Sequence, residues 1–370
     1  MTDNMNKAAG SLLPLEVAES FETEGEIMEI APLGEGHINK TLRIQTEKDG
    51  KIYNYVFQRV NTNVFKMPRE LMDNVVRVTN HIRKKTLEEG KPIDRCTLNF
   101  LRTKDGSEGG YLRKDSQGQY WRAYFFIGDC TVYEQVEKAE DFEKAGIALG
   151  RFQKMLSDFP ADELCETIPN FHNTVSRFTD FQKIIKADPR GRRAECEEEV
   201  DFVLKRKNYC GRVLEKIYSG EVPVRVTHND TKLNNVLMDK KTGDVLCLID
   251  LDTVMPGSAL YDFGDSIRFG ASSAAEDERD LGKVNFVPEY YDAYRRGYLK
   301  EAGDILTEAE IELLPFSAIL MTYECGMRFL GDYIDGDNYF GISRPGHNLD
   351  RARTQFKLVS DMEKYFGIRA

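Results

Sequence analysis

No stretch of this 370-residue chain approaches the ~20 consecutive apolar residues that a membrane helix needs. The first twenty residues, MTDNMNKAAGSLLPLEVAES, carry an early acid and lack an apolar core of signal-peptide length. Basic excess is missing too. The net charge is −11, which argues against a surface that grips nucleic acid or another polyanion. Seven cysteines are present but no C-x-x-C pair, so a zinc site has no anchor and reduced thiols in a cytoplasmic protein are the plain reading. Neither internal repeats nor low-complexity tracts occur. What is left is a chain long enough to bury two sizeable cores.

The most informative run is HNDTKLNN, from His228 to Asn235. It sets Asp230 two residues after a His, Lys232 two after that Asp, and Asn235 five after it. Twenty residues downstream of Asp230, the run LIDLD ends an apolar stretch at Asp250. Phosphoryl transfer needs a carboxylate to orient and deprotonate the attacking hydroxyl, and oxygen ligands for Mg²⁺ beside the nucleotide phosphates. Asp230 fits the first role, with Lys232 supplying a point charge near the transferring group. Asn235 and Asp250 fit the second, with Asp252 the rival on strand alternation. Val222–Thr227 reads as a strand feeding this loop. Val236–Met238 and Val245–Ile249 read as a hairpin that returns Asp250 to the side of Asp230. His228 is expected to fix the loop by hydrogen bonds, and Asp262 to brace it. For Asp265 and Arg268 the plain expectation is a surface salt bridge.

These residues, with Tyr261-Asp262 following, resemble the aminoglycoside phosphotransferase and choline kinase superfamily over about residues 27–365. THNDTKLNNVLM, LIDLDTVMPGSALYDFGDSIR, GEGHIN and RFLGDYIDGDNYF are similar, more narrowly, to bacterial N-acetylhexosamine 1-kinases. The resemblance implies an α+β, two-lobed protein-kinase-like fold, with a small antiparallel β lobe and a larger, mainly helical lobe. It implies ATP and Mg²⁺ as cofactors and a sugar acceptor. Arg328, Tyr339 and Asp230 would hydrogen-bond the sugar, Phe269 would pack on it, and His37 would close over it. An Arg328–Asp332 pair one helical turn apart is the bland alternative. Two other classes stand beside this reading: a kinase of an aminoglycoside, choline or amino alcohol, and a kinase-fold binding protein without turnover.

The first third reads as the β lobe, residues 1–127, with 128–370 as the helical lobe. Strands are expected at Glu26–Pro32, Thr41–Thr46 and Ile52–Val60, with Thr97–Leu101 and Tyr120–Ile127 completing the sheet. Between the first two lies Gly34-Glu35-Gly36-His37-Ile38-Asn39. Gly34, Gly36 and Asn39 form a loop whose backbone N–H groups suit phosphates. The third strand departs from the kinase pattern, because Gln58 stands where alternation places the phosphate-binding Lys. Arg59 could serve if the strand were bulged, and Glu70 on the following helix is the candidate carboxylate partner. Ile127-Gly128-Asp129 is the expected hinge against adenine. Helices are expected near Pro68–Lys84, Phe142–Phe159, Glu195–Tyr218, Val287–Glu301, Glu308–Tyr333 (interrupted at Pro315) and Asn348–Tyr365. The chain reads as a monomer, with a homodimer the alternative, and no nucleic-acid or membrane partner.

Overall fold

The computed structural model describes residues 12–34 and 39–369. A short helix, α1 (Leu15–Ala18), precedes β1 (Glu26–Pro32), β2 (Lys40–Lys48) and β3 (Lys51–Val60). Asp49 and Gly50 both have positive φ, 54° and 76°, which suits a two-residue turn between twisted antiparallel strands. The β2–β3 register is unbroken from Lys40↔Arg59 to Lys48↔Lys51. After α2 (Pro68–Glu88) come β4 (Arg113–Lys114) and β5 (Tyr120–Phe125), giving the antiparallel order β1-β2-β3-β5-β4. Thr97–Leu101 adds only an isolated bridge, Phe100 to Tyr124, rather than the full strand expected.

Alternation gives this sheet two faces with different fates. Leu42, Ile44, Tyr55, Phe57, Trp121 and Ala123 face a small core closed by Leu13, Val17 and Phe21. Val60 faces the other way and joins the large core with Leu71, Val75, Val78 and Ile82 of α2. Those four recur at steps of four and three behind a Pro at the helix start, the pattern of a helix with one buried stripe. Each such side chain contributes about 1.5–3 kcal/mol on burial. Asn74, on the same stripe, donates to the carbonyls of Cys165 (2.8 Å) and Val254 (3.0 Å) and accepts from Cys165 N–H (2.9 Å). The helix of the small lobe is thereby built into the core of the large one.

The large lobe starts with β6 (Cys130–Thr131) and α3 (Ala139–Met155), then α4 (Thr174–Ala187), α5 (Glu197–Lys205) and α6 (Arg212–Tyr218). Next come β7 (Arg225–Thr227), β8 (Val236–Asp239), β9 (Val245–Leu248) and β10 (Met255–Gly257). It ends with α7 (Ala259–Gly270), α8 (Pro288–Ala302), α9 (Glu308–Asp335) and α10 (His347–Phe366). β8 and β9 form the expected hairpin, with β6 on the other edge of β8, and β7 pairs with β10. The single helix expected over 195–218 is two helices. Arg206 donates twice to Glu363 of α10 (2.7 Å each) and Tyr209 OH donates once (2.8 Å), which fixes a turn between them. The interruption expected at Pro315 does not occur. Proline removes one N–H bond there, and α9 is buried nearly all round, so packing holds the turn. Among the described residues no helix is long and apolar enough to cross a membrane.

α3 and α8 touch backbone to backbone. A Cβ on Gly146 would lie 2.2 Å from the carbonyl oxygen of Tyr294, and one on Gly297 would lie 2.1 Å from that of Glu143. Gly297→Ala should therefore force the helices apart and destabilise the fold by about 2 kcal/mol or more. Gly341→Ala, at a position with nothing within 4 Å of the new Cβ, should not. Urea unfolding of the two variants checks this, and equal midpoints would contradict the contact.

Candidate active site

The catalytic loop, 228–235, spans from β7 to β8 and is held by a buried carboxylate. Asp262, in the first turn of α7, accepts the backbone N–H groups of His228 (2.9 Å) and Asn229 (2.8 Å) and the side chain of Gln153 (3.2 Å). Burial pushes its pKa up, opposed by His228 and the two backbone donors. Asn229 has φ of 65°, a left-handed conformation that turns these N–H groups toward one acceptor. His228 is fully buried. Its Nε2 is 2.9 Å from the carbonyl oxygen of Ile249, so Nε2 carries the proton, and Nδ1 faces the N–H of Asp230 at 3.3 Å. The ring thus ties the loop to the residue before Asp250 and has no nitrogen left for proton transfer.

Asp230 is partly exposed and pairs with Lys232 Nζ at 2.9 Å. Burial disfavours the Lys232 charge, but Asp230 and Asp265 outweigh it and hold the ammonium above its ordinary range. Asn235 donates through Nδ2 to the Asp230 carbonyl (2.8 Å), which fixes its amide and leaves Oδ1 as the acceptor side. Asp250 follows β9 in a left-handed conformation with φ of 58°. Its side chain opens onto the cleft but sits deep between protein walls. Burial, then the nearby Asp252 and Asp230 carboxylates, push its pKa up to about 6.

Asp252, the rival for Asp250's role, is committed elsewhere. Its Oδ1 lies 2.5 Å from Arg122 Nη2 and its Oδ2 accepts from Asn39 Nδ2 at 2.7 Å, all three side chains being buried. Asn39 also accepts Asn61 N–H through Oδ1 at 2.9 Å, so its amide serves as a tie between strands and cleft floor rather than an open phosphate donor. Gln58 accepts from Arg122 Nε (2.9 Å) and Nη2 (2.6 Å) and donates to Thr41 (3.1 Å). It orients a cation and is not a substitute for one. Arg59 is exposed on the opposite sheet face; the unbroken register leaves no bulge to turn it inward. Glu70 is exposed as well, one turn before the inward-facing Asn74. Gly34, two residues past β1, has φ of 69°. Gly36 and His37 lie outside the described residues.

On the other side of the loop, Asp265 and Arg268 form a buried pair at 2.9 Å rather than the surface bridge expected. Asp265 also accepts Thr231 N–H (3.3 Å), and Arg268 reaches Glu276 (2.7 Å). Phe269 lines a cleft of about 430 Å³ with Glu134, Arg268, Glu276, Tyr290 and Gln355. Neither Arg328 nor Tyr339 lines it. Those two meet each other, Arg328 Nη2 to Tyr339 OH at 3.4 Å, and the guanidinium sits 5.4–5.7 Å from the rings of Phe171, Tyr339 and Phe340. The Arg328–Asp332 pair is absent. Asp332 instead accepts the N–H groups of Asn338 (2.9 Å), Tyr339 (2.8 Å) and Phe340 (2.9 Å), and so shapes the loop that presents Tyr339.

Sequence reasoning passed over Arg122, although an arginine inside the apolar strand YWRAYFFI was a visible signal. It also missed a buried pair next to the Arg328 cluster. Glu324 holds His172 Nδ1 at 2.9 Å and Thr174 Oγ1 at 2.5 Å. Nothing in the spacing of His172 and Glu324 marked them as neighbours.

A small antiparallel sheet over a helical lobe, with the HxDxKxxN loop and a following Asp in the cleft, defines a phosphotransferase of the protein-kinase-like class. The chain belongs to the phosphotransferase enzyme family, whose model matches residues 29–310. Among solved structures it is similar to a microcompartment-associated aminopropanol kinase (14% identity, TM-score 0.58, covering 98% of this chain and 99% of that one). It is also similar to a choline kinase from Cryptosporidium parvum (14%, 0.56, 100% and 98%) and an ethanolamine kinase from Plasmodium vivax (14%, 0.52, 94% and 85%). Likenesses at such identities establish the shared fold.

The raised Asp250 pKa has a consequence for stability. The unfolded carboxyl titrates near 3.8 and the folded one near 6, so between them the folded chain holds the extra proton. That contribution is present below the unfolded value and is lost as pH rises through the folded one. Water in the cleft screens the group, which reduces the size of the effect and leaves its sign. In EDTA, Asp250→Asn should raise Tm above wild type at pH 8, and the gap should shrink toward pH 5. A gap that is constant or grows on acidification would contradict the assignment.

Proposed function

We propose that the chain transfers the γ-phosphoryl group of ATP to the anomeric hydroxyl of an N-acetylhexosamine, N-acetylglucosamine or N-acetylgalactosamine, giving the sugar 1-phosphate. The observation that carries the acceptor class is the Arg328 cluster. A guanidinium already lies against the rings of Phe171, Tyr339 and Phe340 with no carboxylate within salt-bridge distance among the described residues, the nearby Glu324 being engaged by His172 and Thr174. Choline, ethanolamine and aminoglycosides are cations, which such rings would otherwise attract. With Arg328 in place a cation is repelled, whereas a neutral ring gains forked donors for its hydroxyls and aromatic surface for its apolar face. Phe269, in the cleft with Arg268 and Glu276, would pack on the sugar. His37 would close over the sugar from the loop between β1 and β2.

In this reading Asp230 accepts the proton of the anomeric hydroxyl as its oxygen bonds to phosphorus. The bond from phosphorus to the bridging oxygen breaks with its electron pair leaving on ADP. Lys232 holds Asp230 in place and offsets charge on the transferring group. Asn235 Oδ1 and Asp250 would hold Mg²⁺, which when bound neutralises phosphate charge. The donors fit that ion: both are hard oxygens, and the crowding of Asp250 by Asp230 and Asp252 is a local excess of negative charge that a divalent cation relieves. Among the described residues no three acidic, His or Cys side chains form an all-protein cage, in keeping with an ion held largely by phosphates. The backbone of Gly34 and Gly36 would face the phosphates. The two lobes divide at 127/128, and a cytoplasmic setting is supported by seven unpaired cysteines.

Asp230→Asn should keep the fold and lower kcat by about 10²–10⁴-fold, the usual size of lost acid–base assistance. Near-normal turnover would remove Asp230 from the role. For the acceptor, ATP consumption is compared across N-acetylglucosamine, N-acetylgalactosamine, glucose, galactose, choline, ethanolamine and kanamycin. An N-acetylhexosamine should be best, and Arg328→Ala should raise its KM by about 5–100-fold with KM for ATP little changed. A cationic acceptor at the top of that panel, or an Arg328→Ala enzyme with an unaltered sugar KM, would sink the reading.

A further inference from the structure

The third strand of this kinase-like sheet lacks the cation that would meet the nucleotide phosphates, and its neighbour carries one. Gln58 on β3 pairs directly with Arg122 on β5 in the sheet register. Arg122 is 3% exposed, and its side chain is nearly saturated: Nε and Nη2 contact Gln58 Oε1, and Nη2 lies 2.5 Å from Asp252 Oδ1. Nη1 is the exception. It is buried and has no hydrogen-bond partner. Asp252 Oδ1 likewise has only the ion pair and no hydrogen bond, so the pair is held by charge while Nη1 keeps a free donor. A buried guanidinium donor left unmatched is costly, and it marks the place of an acceptor from outside the chain.

The surroundings say which acceptor. Asp252 lies two residues beyond Asp250 on the cleft floor. Its other oxygen holds Asn39, which closes the loop between β1 and β2. The Arg122 charge also acts on Asp250. In the kinase reading a group bound beside Asn39 and Asp250 is the phosphate chain of the nucleotide, and phosphate oxygens are the acceptors that a planar guanidinium matches best. We propose that Arg122 contacts the nucleotide phosphates through Nη1 and takes the place of the missing strand lysine, with Gln58 and Asp252 as the residues that position it. Asp252 is then the carboxylate partner of the phosphate-binding cation and not a metal ligand. The pair crosses from β5 to the segment after β9, so the same contact that aims the cation also joins the two walls of the cleft. The proposal rests on the nucleotide-kinase reading above.

Calorimetry with Mg²⁺ separates the possibilities, using ADP and adenosine as probes on wild type, Arg122→Gln, and the double variant Arg122→Gln/Gln58→Lys. Adenosine lacks the phosphates but keeps the base and ribose. Arg122→Gln should weaken ADP by about 10–100-fold, the size of a lost charged hydrogen bond, with adenosine changed less than about twofold. The double variant moves a cation back to β3, beside Asp252, and should recover at least part of the ADP affinity. Thermal unfolding of each protein reports whether it is folded at the titration temperature. Equal losses for ADP and adenosine would make Arg122 a structural tie only and overturn the proposal, as would an unchanged ADP affinity. Should Arg122→Gln be unfolded, the double variant decides alone: ADP preferred over adenosine as strongly as in wild type supports the assignment, and loss of that preference overturns it. If wild type binds neither probe, the nucleotide-kinase reading itself falls; if it binds ADP normally and only the Arg122 pattern fails, that reading stands.

Discussion

The loop from His228 to Asn235 cannot hold its own shape. Asn229 is left-handed, two consecutive backbone N–H groups point inward, and no sheet partner is available to them. One buried carboxylate, Asp262, takes both. Its position depends on α7, and α7 is placed by close packing against α9: a Cβ on Gly264 would fall 2.3 Å from the carbonyl oxygen of Ser317. The first turn of α9 is tied back to the same loop. Arg225, on the strand that leads into it, forms a forked pair with Glu310 (2.7 and 2.8 Å), whose carboxylate also closes the capping box of α9. Asp230 is thus fixed by a closed circuit of helix, carboxylate and strand.

A second carboxylate organises the other wall. Asp252 brings together Arg122 of the sheet, Asn39 just before β2 and, through two peptide bonds, Asp250. Burying three polar side chains is tolerable only because each donor and acceptor is nearly matched. The division of labour between adjacent acids is sharp. Asp250 carries crowded, unpaired charge that suits a cation, and Asp252 carries paired charge that suits a structural tie.

Much of this was legible in the chain. The period-two runs located β1 to β3, the period-3.6 stripes located α2, α3, α8 and α10, and HNDTKLNN with LIDLD located the catalytic hairpin. Local chemistry sufficed there, since a carboxylate, an amide and a second carboxylate at fixed spacing have few uses together. Roles that depend on distant partners were not legible. Gln58 and Arg59 were weighed as stand-ins for a lysine on one strand, whereas the buried cation of this sheet face is Arg122 on the neighbouring strand, opposite Gln58 in the register. Asp265 and Arg268 looked like a surface pair because three-residue spacing says nothing about depth. Asp332 stood only as an alternative partner for Arg328, and three backbone N–H groups of the following loop take it instead.

The seating of α2 has a wider consequence. In a lobe free to pivot on a hinge, a helix beside the sheet can swing outward and switch the cleft between competent and incompetent forms. Here Asn74 binds two carbonyls and one N–H of the opposite lobe, and the apolar stripe around it is continuous with the main core. Swinging the helix out would break those bonds and expose that stripe together, so it approaches the cost of local unfolding rather than that of a hinge motion. The chain is built to be always assembled.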